Sequence, residues 1–227
     1  MIINRRQFLG LSATFLAAGA LPLPARGQPA VQRLAMPPLL DTRASGRLLL
    51  TAQTGQSNFL GSASTLTAGY NQSYLGPTIV MQNGSLATQV DNRMQELVTV
   101  HWHGMLVPGE HDGSGHSPIE PGGSWKVPMD LAQPPTTGWY HSHAHAATAR
   151  HVYFGLAGVI HHTDGRDDQR GLPSRYGIDD LTVIIQDRRF DEAGRMIYNP
   201  DGTDILDRKS TRLNSSHVSE SRMPSSA

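Results

Sequence analysis

Two pairs of histidines, each separated by a single residue, are the part of the sequence best suited to chemistry. They are His101 with His103 and His141 with His143, and His145 follows the second pair. On a β-strand, residues i and i+2 point to the same face and lie roughly 6–7 Å apart along the chain, so each pair can offer two imidazoles side by side. Neutral imidazole is a ligand for copper, zinc, iron and nickel. The spacing therefore predicts a metal site without selecting the metal.

The residues around the first pair indicate where these histidines point. In the segment 98–103, the apolar residues Val98, Val100 and Trp102 alternate with a threonine and the two histidines. Because alternate residues of a strand face opposite sides, we expect the apolar residues in a core and the histidines directed towards a neighbouring domain or solvent. A metal site assembled between two domains requires that direction.

The other histidines carry weaker signals, although ten of the 11 in the chain lie between His101 and His162. His145 shares the face of the second pair and is consistent with a ligand, a partner of a ligand or a loop residue. Histidines without a paired spacing are interpreted as structural or exposed residues: His111, His116, His151, His161, His162 and His217.

The composition limits the function classes and favours strands. Nineteen basic and 19 acidic residues give a formal net charge of zero, which argues against a nucleic-acid partner and against a charged membrane-binding surface. There is no cysteine, so the chain holds neither a disulfide nor a thiolate ligand. The 23 glycines and 15 prolines predict short strands and turns, not long helices.

Seven segments combine apolar alternation with flanking turn residues and are predicted to be strands. They are residues 48–53, 78–82, 87–91, 97–103, 125–129, 139–143 and 156–161. Strands at this spacing predict an all-β fold, an antiparallel sandwich of two sheets. No amphipathic helix is expected.

The two ends of the chain differ in composition from this part. Residues 1–27 resemble a twin-arginine signal peptide, with Arg5 and Arg6 before an apolar run and small residues Ala25 and Gly27 before the cleavage point. An ordinary secretion signal is the alternative. The signal implies export to the periplasm, with no membrane attachment after export. Residues 28–44 are a polar lead-in.

The remaining sequence is divided into three parts. Residues 45–165 are predicted to form the first domain, and residues 166–207 a connector with the start of an incomplete second domain, whose apolar run 181–186 predicts a buried strand. Residues 208–227 contain seven serines and no periodicity, which is typical of a disordered segment. They are either a native tail or non-native sequence appended to a truncated chain, and we favour the second interpretation.

Several motifs together resemble the first domain of multicopper oxidases, and in particular the bacterial copper-efflux oxidases, which oxidise cuprous ion and phenols. The motifs of the first domain occupy residues 75–77, 99–104, 107–110, 112–113, 121–123, 138–145 and 155–158. Residues 176–180 and 186–187 resemble the start of the family's second domain. The resemblance covers roughly residues 45–207. It implies a cupredoxin-like Greek-key β-sandwich with the beginning of a second cupredoxin-like domain.

The resemblance also implies roles for individual residues. His101 would bind the type 2 copper, His103 and His141 one copper of the type 3 pair, and His143 the other. Asp112 would help deliver protons near the type 2 copper. Dioxygen and a reducing substrate, either cuprous ion or a phenol, would be the reactants. The remaining ligands would come from a C-terminal domain that is missing here.

The sequence departs from the family pattern in two ways. Ala146 stands where the family usually has glycine, which puts the local backbone shape in doubt. The cysteine of a type 1 copper site is absent, and only half the histidines of the trinuclear cluster are present. We therefore expect this chain alone to be inactive. The alternatives are a non-enzymatic periplasmic scaffold of the same fold, associated with cell division, and a small copper-binding module.

Overall fold

The computed structural model of the protein describes residues 34–60 and 63–199. The signal peptide predicted for residues 1–27, the first part of the lead-in and the tail predicted for residues 208–227 lie outside the described residues. Within the described residues, no helix has the length and apolar character needed to cross a membrane.

Within residues 34–60 and 63–199, nine strands form two sheets, which confirms the all-β sandwich. The strands are β1 (Leu39–Asp41), β2 (Arg47–Ser57), β3 (Thr65–Tyr70), β4 (Thr78–Met81), β5 (Gly84–Asn92), β6 (His101–His103), β7 (Ser124–Leu131), β8 (Thr136–His141) and β9 (Ala157–His162). One sheet has the order β1-β4-β9-β8-β6 and the other the order β3-β2-β5-β7. One α-helix, α1 (Thr148–Phe154), and two short 3-10 helices, Gly109–His111 and Asp168–Arg170, complete the described elements.

The expectation of a purely antiparallel sandwich is wrong. Among the described strand pairs, β1 with β4, β4 with β9 and β2 with β5 are parallel. The reason is that several connections pass from one sheet to the other, so that neighbours within a sheet are not always successive in the chain. Parallel neighbours need such crossovers, whereas a hairpin joins antiparallel neighbours.

The core lies between the sheets and contains three large aromatic side chains. Trp102, Tyr70 and Tyr140 are fully buried, and the Tyr140 ring lies 5.3 Å from the Tyr70 ring and 6.2 Å from the Trp102 ring, centroid to centroid. Both tyrosine hydroxyls donate to backbone carbonyls, Tyr140 to Pro77 at 2.8 Å and Tyr70 to Thr99 at 3.2 Å. Burial raises the pKa of both phenols, so they remain neutral donors.

Gly158 of β9 makes room for the Tyr140 ring. A Cβ atom at position 158 would lie 2.4 Å from both Cζ and the hydroxyl oxygen of Tyr140, a side chain that is fully buried and cannot move aside. We expect Gly158→Ala to lower the free energy of unfolding by about 1–3 kcal/mol, the usual cost of overpacking a core. Urea unfolding followed by circular dichroism measures this change. Gly109→Ala is the matched control, since a Cβ there meets no atom within 4 Å; equal effects of both substitutions would contradict the steric explanation.

The strand predictions were right for the central sheet positions and incomplete at the edges. β1 falls within the predicted lead-in, and β3 was missed because its sequence contains two threonines and no clear apolar alternation. The segment predicted as 97–103 forms a regular strand only at His101–His103, with an isolated bridge from Val98 to Ile119. The last predicted strand before the helix begins earlier, at Thr136, and ends at His141.

Helix α1 is a short helix in a chain for which no amphipathic helix was expected. It has seven residues, about two turns, which is too short for a helical apolar period to stand out in the sequence. Its buried residues are His151 and Tyr153, and it ends at Gly155, whose positive φ of 118° closes the last turn.

The apolar run 181–186 is not a buried strand. Leu181, Val183 and Ile185 are exposed, the last at 92%. Thr182 is the buried residue of the run, and its Oγ1 lies 3.1 Å from Nε2 of His161. A strand forms only where a partner satisfies its backbone groups, and none of the described strands pairs with this run.

Candidate metal centre

The pairing of β6 with β8 brings the two histidine pairs together. The strands are antiparallel, and their register places His101 opposite His141, Trp102 opposite Tyr140 and His103 opposite Trp139. Directly opposed residues of neighbouring strands share a face of the sheet. The odd-numbered residues of both strands therefore project from the same outer face, while Trp102 and Tyr140 enter the core.

All four histidine rings of the two pairs converge. The ring centroid of His101 lies 5.4 Å from that of His103, 5.3 Å from that of His141 and 5.5 Å from that of His143. His141 and His143 are 6.0 Å apart. In three of them, His101, His103 and His141, one ring nitrogen each lies within 4.8 Å of the others. The structure thus brings all four predicted ligands to one site, with three of them in a tighter group.

The spacing of two nitrogens fits a shared metal ion. Nδ1 of His103 lies 3.4 Å from Nε2 of His141. Two ligand nitrogens about 2.0 Å from one ion at a tetrahedral angle are separated by about 3.3 Å. The two rings can therefore bind one ion through these atoms with little rearrangement.

His141 is prepared to bind metal because it is uncharged. Only 5% of this residue is exposed. The pKa of His141 is lowered from 6.5 to about 4, chiefly by burial and to a smaller extent by the neighbouring imidazoles, against the opposing effect of the hydrogen bond to Ser142. A metal ligand must be neutral imidazole. At neutral pH, an ion at this site would therefore not compete with a proton on His141.

Two backbone carbonyls orient the rings. His101 Nδ1 lies 3.1 Å from the Asp112 carbonyl oxygen and 3.2 Å from its Oδ1 atom. His141 Nδ1 lies 2.9 Å from the carbonyl oxygen of Ser142. Because these groups only accept, each Nδ1 carries the proton and each Nε2 is left with a free lone pair. The sequence offered no signal for these partners.

Asp112 is the predicted proton-delivering residue. Its carboxylate lies 3.2 Å from Nδ1 of the candidate ligand His101. Its side chain is 28% exposed and therefore reaches solvent. The neighbouring Gly113 has φ of 68°, and a Cβ atom there would lie 1.6 Å from the Val100 carbonyl oxygen. Glycine at 113 thus lets this loop lie against β6, where the backbone N–H of Trp102 donates to the backbone carbonyl of Asp112 at 3.3 Å.

The second pair continues past the end of β8. The N–H of His143 donates to Oγ1 of Thr99 at 2.6 Å, which fixes the backbone at this residue. Thr99 is itself buried, although its place in the strand alternation predicted an outward residue. Ala146 adopts φ of 57°, the left-handed region that favours glycine, so the backbone keeps the shape expected of glycine despite the substitution. His145 is exposed and lies outside the group of three.

Trp139 covers one side of the site. Its ring stacks on His141 with a centroid distance of 3.9 Å and an interplanar angle of 25°. It is 37% exposed, in contrast to the buried Trp102. Trp139 therefore restricts the orientation of the His141 ring from the outer face, while Trp102 anchors β6 from the core.

His151 was interpreted as structural or exposed, and the structure makes it structural. It is 1% exposed, and its Nδ1 lies 2.8 Å from Oγ of Ser142, between the two ligands of the second pair. Burial lowers the pKa of His151, against the opposing effect of Glu96. No sequence signal indicated this contact, because a loop and the first turn of α1 separate the two residues.

Comparisons with known proteins agree on one family. The family model described as multicopper oxidase matches residues 51–165. A solved structure of a laccase-like multicopper oxidase, CueO from Ochrobactrum sp., superposes with a TM-score of 0.70 at 42% identity and covers 76% of this chain. A laccase from Pediococcus acidilactici gives a TM-score of 0.69 at 35% identity over 75% of the chain. These structures confirm the cupredoxin-like fold.

Curated relatives of similar sequence carry a different name. "Cell division protein FtsP" of Dickeya dadantii is 37% identical over 201 residues, and that of Rahnella sp. is 39% identical over 200 residues. Both alignments include 88% of this chain. The chain spans 43% and 42% of the length of these relatives, and 39% of the Ochrobactrum protein.

Proposed function

The chain belongs to the multicopper oxidase family, and we propose that it is the N-terminal part of an exported copper oxidase. In this proposal it supplies four histidine ligands to a copper site that a later domain completes. The single observation that carries the proposal is the convergence of ring nitrogens from His101, His103 and His141 on one face of the sheet. Copper bound there would take up electrons one at a time and transfer them to dioxygen.

The proposed ligand roles follow the family resemblance and agree with the geometry. His101 would bind a type 2 copper, and His103 and His141 would share one copper of a type 3 pair, as their 3.4 Å nitrogen separation favours. His143 would bind the other copper of that pair. Asp112 would hold the Nδ1 proton of His101 and pass protons from solvent towards the site.

The exposed face of the site supports a contribution from another domain. His103 and His143 are exposed, and the site is bounded on its inner side by the strand backbones. Residues 45–165 would be the first domain and residues 166–207 would lead into the second. We propose that the whole protein acts in the periplasm on cuprous ion or a phenol, with dioxygen as electron acceptor.

A second candidate function is a non-enzymatic scaffold in cell division. The observation that favours it is the name of the curated relatives at 37–39% identity. A scaffold does not need its histidines to meet at metal-ligand distance, and the group of three at this site therefore favours the oxidase.

A copper titration of this chain tests the proposal. We expect weak binding of cupric ion, seen by absorbance and by electron paramagnetic resonance with nitrogen hyperfine coupling, because half of the cluster ligands are present. We expect no oxygen uptake with cuprous ion or a phenol as reductant. Absence of any specific copper binding would support the scaffold, and substantial oxygen consumption by this chain would show that no further domain is required.

The gene sequence downstream of codon 207 distinguishes the oxidase, the scaffold and a small copper-binding module. The oxidase requires a later His-Cys-His block that supplies the type 1 cysteine and further histidines. A continuing reading frame that lacks this block would favour the scaffold, and a natural stop near residue 227 would favour a small copper-binding module.

A further inference from the structure

A buried network lies directly behind the second histidine pair. Oγ of Ser142, which is 0% exposed, lies 2.8 Å from Nδ1 of His151. On the other side of the His151 ring, Nε2 lies 3.4 Å from Oε1 of Glu96. Glu96 is in turn paired with Arg150, with a 3.0 Å hydrogen bond and a second, shorter one. The network thus runs from the surface ion pair to the residue between His141 and His143.

The charges around His151 determine where its proton lies. The negative charge of the Glu96 carboxylate, 3.4 Å from Nε2, favours the proton on Nε2 of the neutral His151 ring. Nδ1 is then an acceptor, and the Ser142 hydroxyl donates to it. If Nδ1 carried the proton instead, the His151 ring would donate and the Ser142 oxygen would accept.

The same serine determines the state of His141. The carbonyl oxygen of Ser142 accepts from Nδ1 of His141 at 2.9 Å. The next N–H of the chain, that of His143, is held by Thr99. Ser142 is fixed at its own N–H by the Leu156 carbonyl at 3.2 Å and at its Oγ by His151 at 2.8 Å, with a longer 3.5 Å contact from the Ala144 N–H. Loss of the side-chain anchor leaves the Ser142 residue with more freedom to turn its carbonyl away from His141.

We infer that His151 is a positioning residue for His141, acting through Ser142. His151 accepts a hydrogen bond from the Ser142 hydroxyl and thereby holds the Ser142 carbonyl against Nδ1 of His141. His141 then keeps its proton on Nδ1 and presents Nε2 to the site. Glu96 and Arg150 hold the His151 ring in the orientation that this requires. The consequence for metal binding rests on the proposed function, whereas the effect on His141 is a property of the metal-free protein.

The inference is tested by nitrogen-15 NMR of the histidine rings, which shows the nitrogen that carries the proton. In the metal-free wild-type chain we expect one form of His141, protonated on Nδ1, with its signals assigned by their loss in His141→Ala. In His151→Phe, which keeps the ring but cannot accept, we expect both protonation forms of His141. We also expect copper affinity to fall by about 10- to 100-fold, as for other outer partners of metal-bound histidines.

Two further variants separate positioning from loss of folding. Ser142→Ala removes the donor and should reproduce the effect of His151→Phe, and the double variant should be no worse than either single variant because both break the same contact. His151→Asn places an amide oxygen near the position of Nδ1 and should restore the single form of His141. Should His151→Phe not fold by circular dichroism, these two variants carry the test.

His162→Phe is the matched control. His162 is another buried histidine, and it pairs with Thr136 at the far end of β8, five residues and about 17 Å from His141 along the strand. We expect this variant to leave the His141 signals unchanged. The inference is wrong if His151→Phe and Ser142→Ala both keep the single form. If the form changes but the wild type binds no copper, the proposed function is wrong and the positioning role stands.

Discussion

Replacement of His141 by alanine is expected to lower the copper affinity of this chain by more than about 100-fold, a larger loss than that for an outer partner of a ligand. Nε2 of His141 faces Nδ1 of His103, and its ring also lies 5.3 Å from that of His101. Removal of His141 therefore takes away the ligand that neighbours both His101 and His103 in the group of three. Titration with cupric ion, with a competing chelator to set the free concentration, measures the change.

His145→Ala is the control for this prediction. His145 lies four residues further along the chain, is exposed and is outside the group of three. Its replacement is expected to change copper affinity by less than about threefold, within the scatter of a surface substitution. Equal losses in both variants would mean that copper binds to exposed histidines in general, and the candidate centre would then have no special status.

Trp102→Ala is expected to lower the free energy of unfolding by about 3–5 kcal/mol, which is a large part of the stability of a domain of this size. The Trp102 side chain is fully buried and packs near Tyr140 in the centre of the sandwich. Its loss leaves a cavity that the two sheets cannot close without moving β6. Urea unfolding followed by far-ultraviolet circular dichroism measures stability without relying on tryptophan fluorescence.

Trp139→Ala is the matched control for Trp102→Ala. Trp139 lies on the outer face of the same sheet and is partly exposed, so its removal leaves no cavity, and we expect a loss of less than about 1 kcal/mol. Because it stacks on His141, its effect should appear in the order of that ring and in copper affinity. A stability loss as large as that of Trp102→Ala would contradict the assignment of the two faces.

The two tryptophans lie on opposite faces of the sheet, Trp102 in the core and Trp139 on the face of the candidate metal centre. Trp102 and Tyr140 face the core from β6 and β8, and the histidines face outward from the same two strands. A change at the site can therefore alter ligand geometry with little effect on folding.

The sequence by itself determined which residue types the candidate site offers and which side chains of segment 98–103 face the core. The alternation in segment 98–103 was sufficient to place Val98, Val100 and Trp102 in the core and His101 and His103 outside it. The i, i+2 spacing was sufficient to bring the rings of His101 and His103 together on β6. Both features depend only on the two-residue period of a strand, which is a local property of the backbone.

Only the tertiary structure decided how the two pairs meet and which ring nitrogens are free. The register that sets His101 opposite His141 joins residues 40 positions apart, and the carbonyls that hold Nδ1 of these rings come from a loop and from a strand end. The contact of His151 with Ser142 depends on helix α1, which is too short to show a period. These contacts depend on long-range packing, in which residues distant in the chain restrict one another, and local alternation contains no information about them.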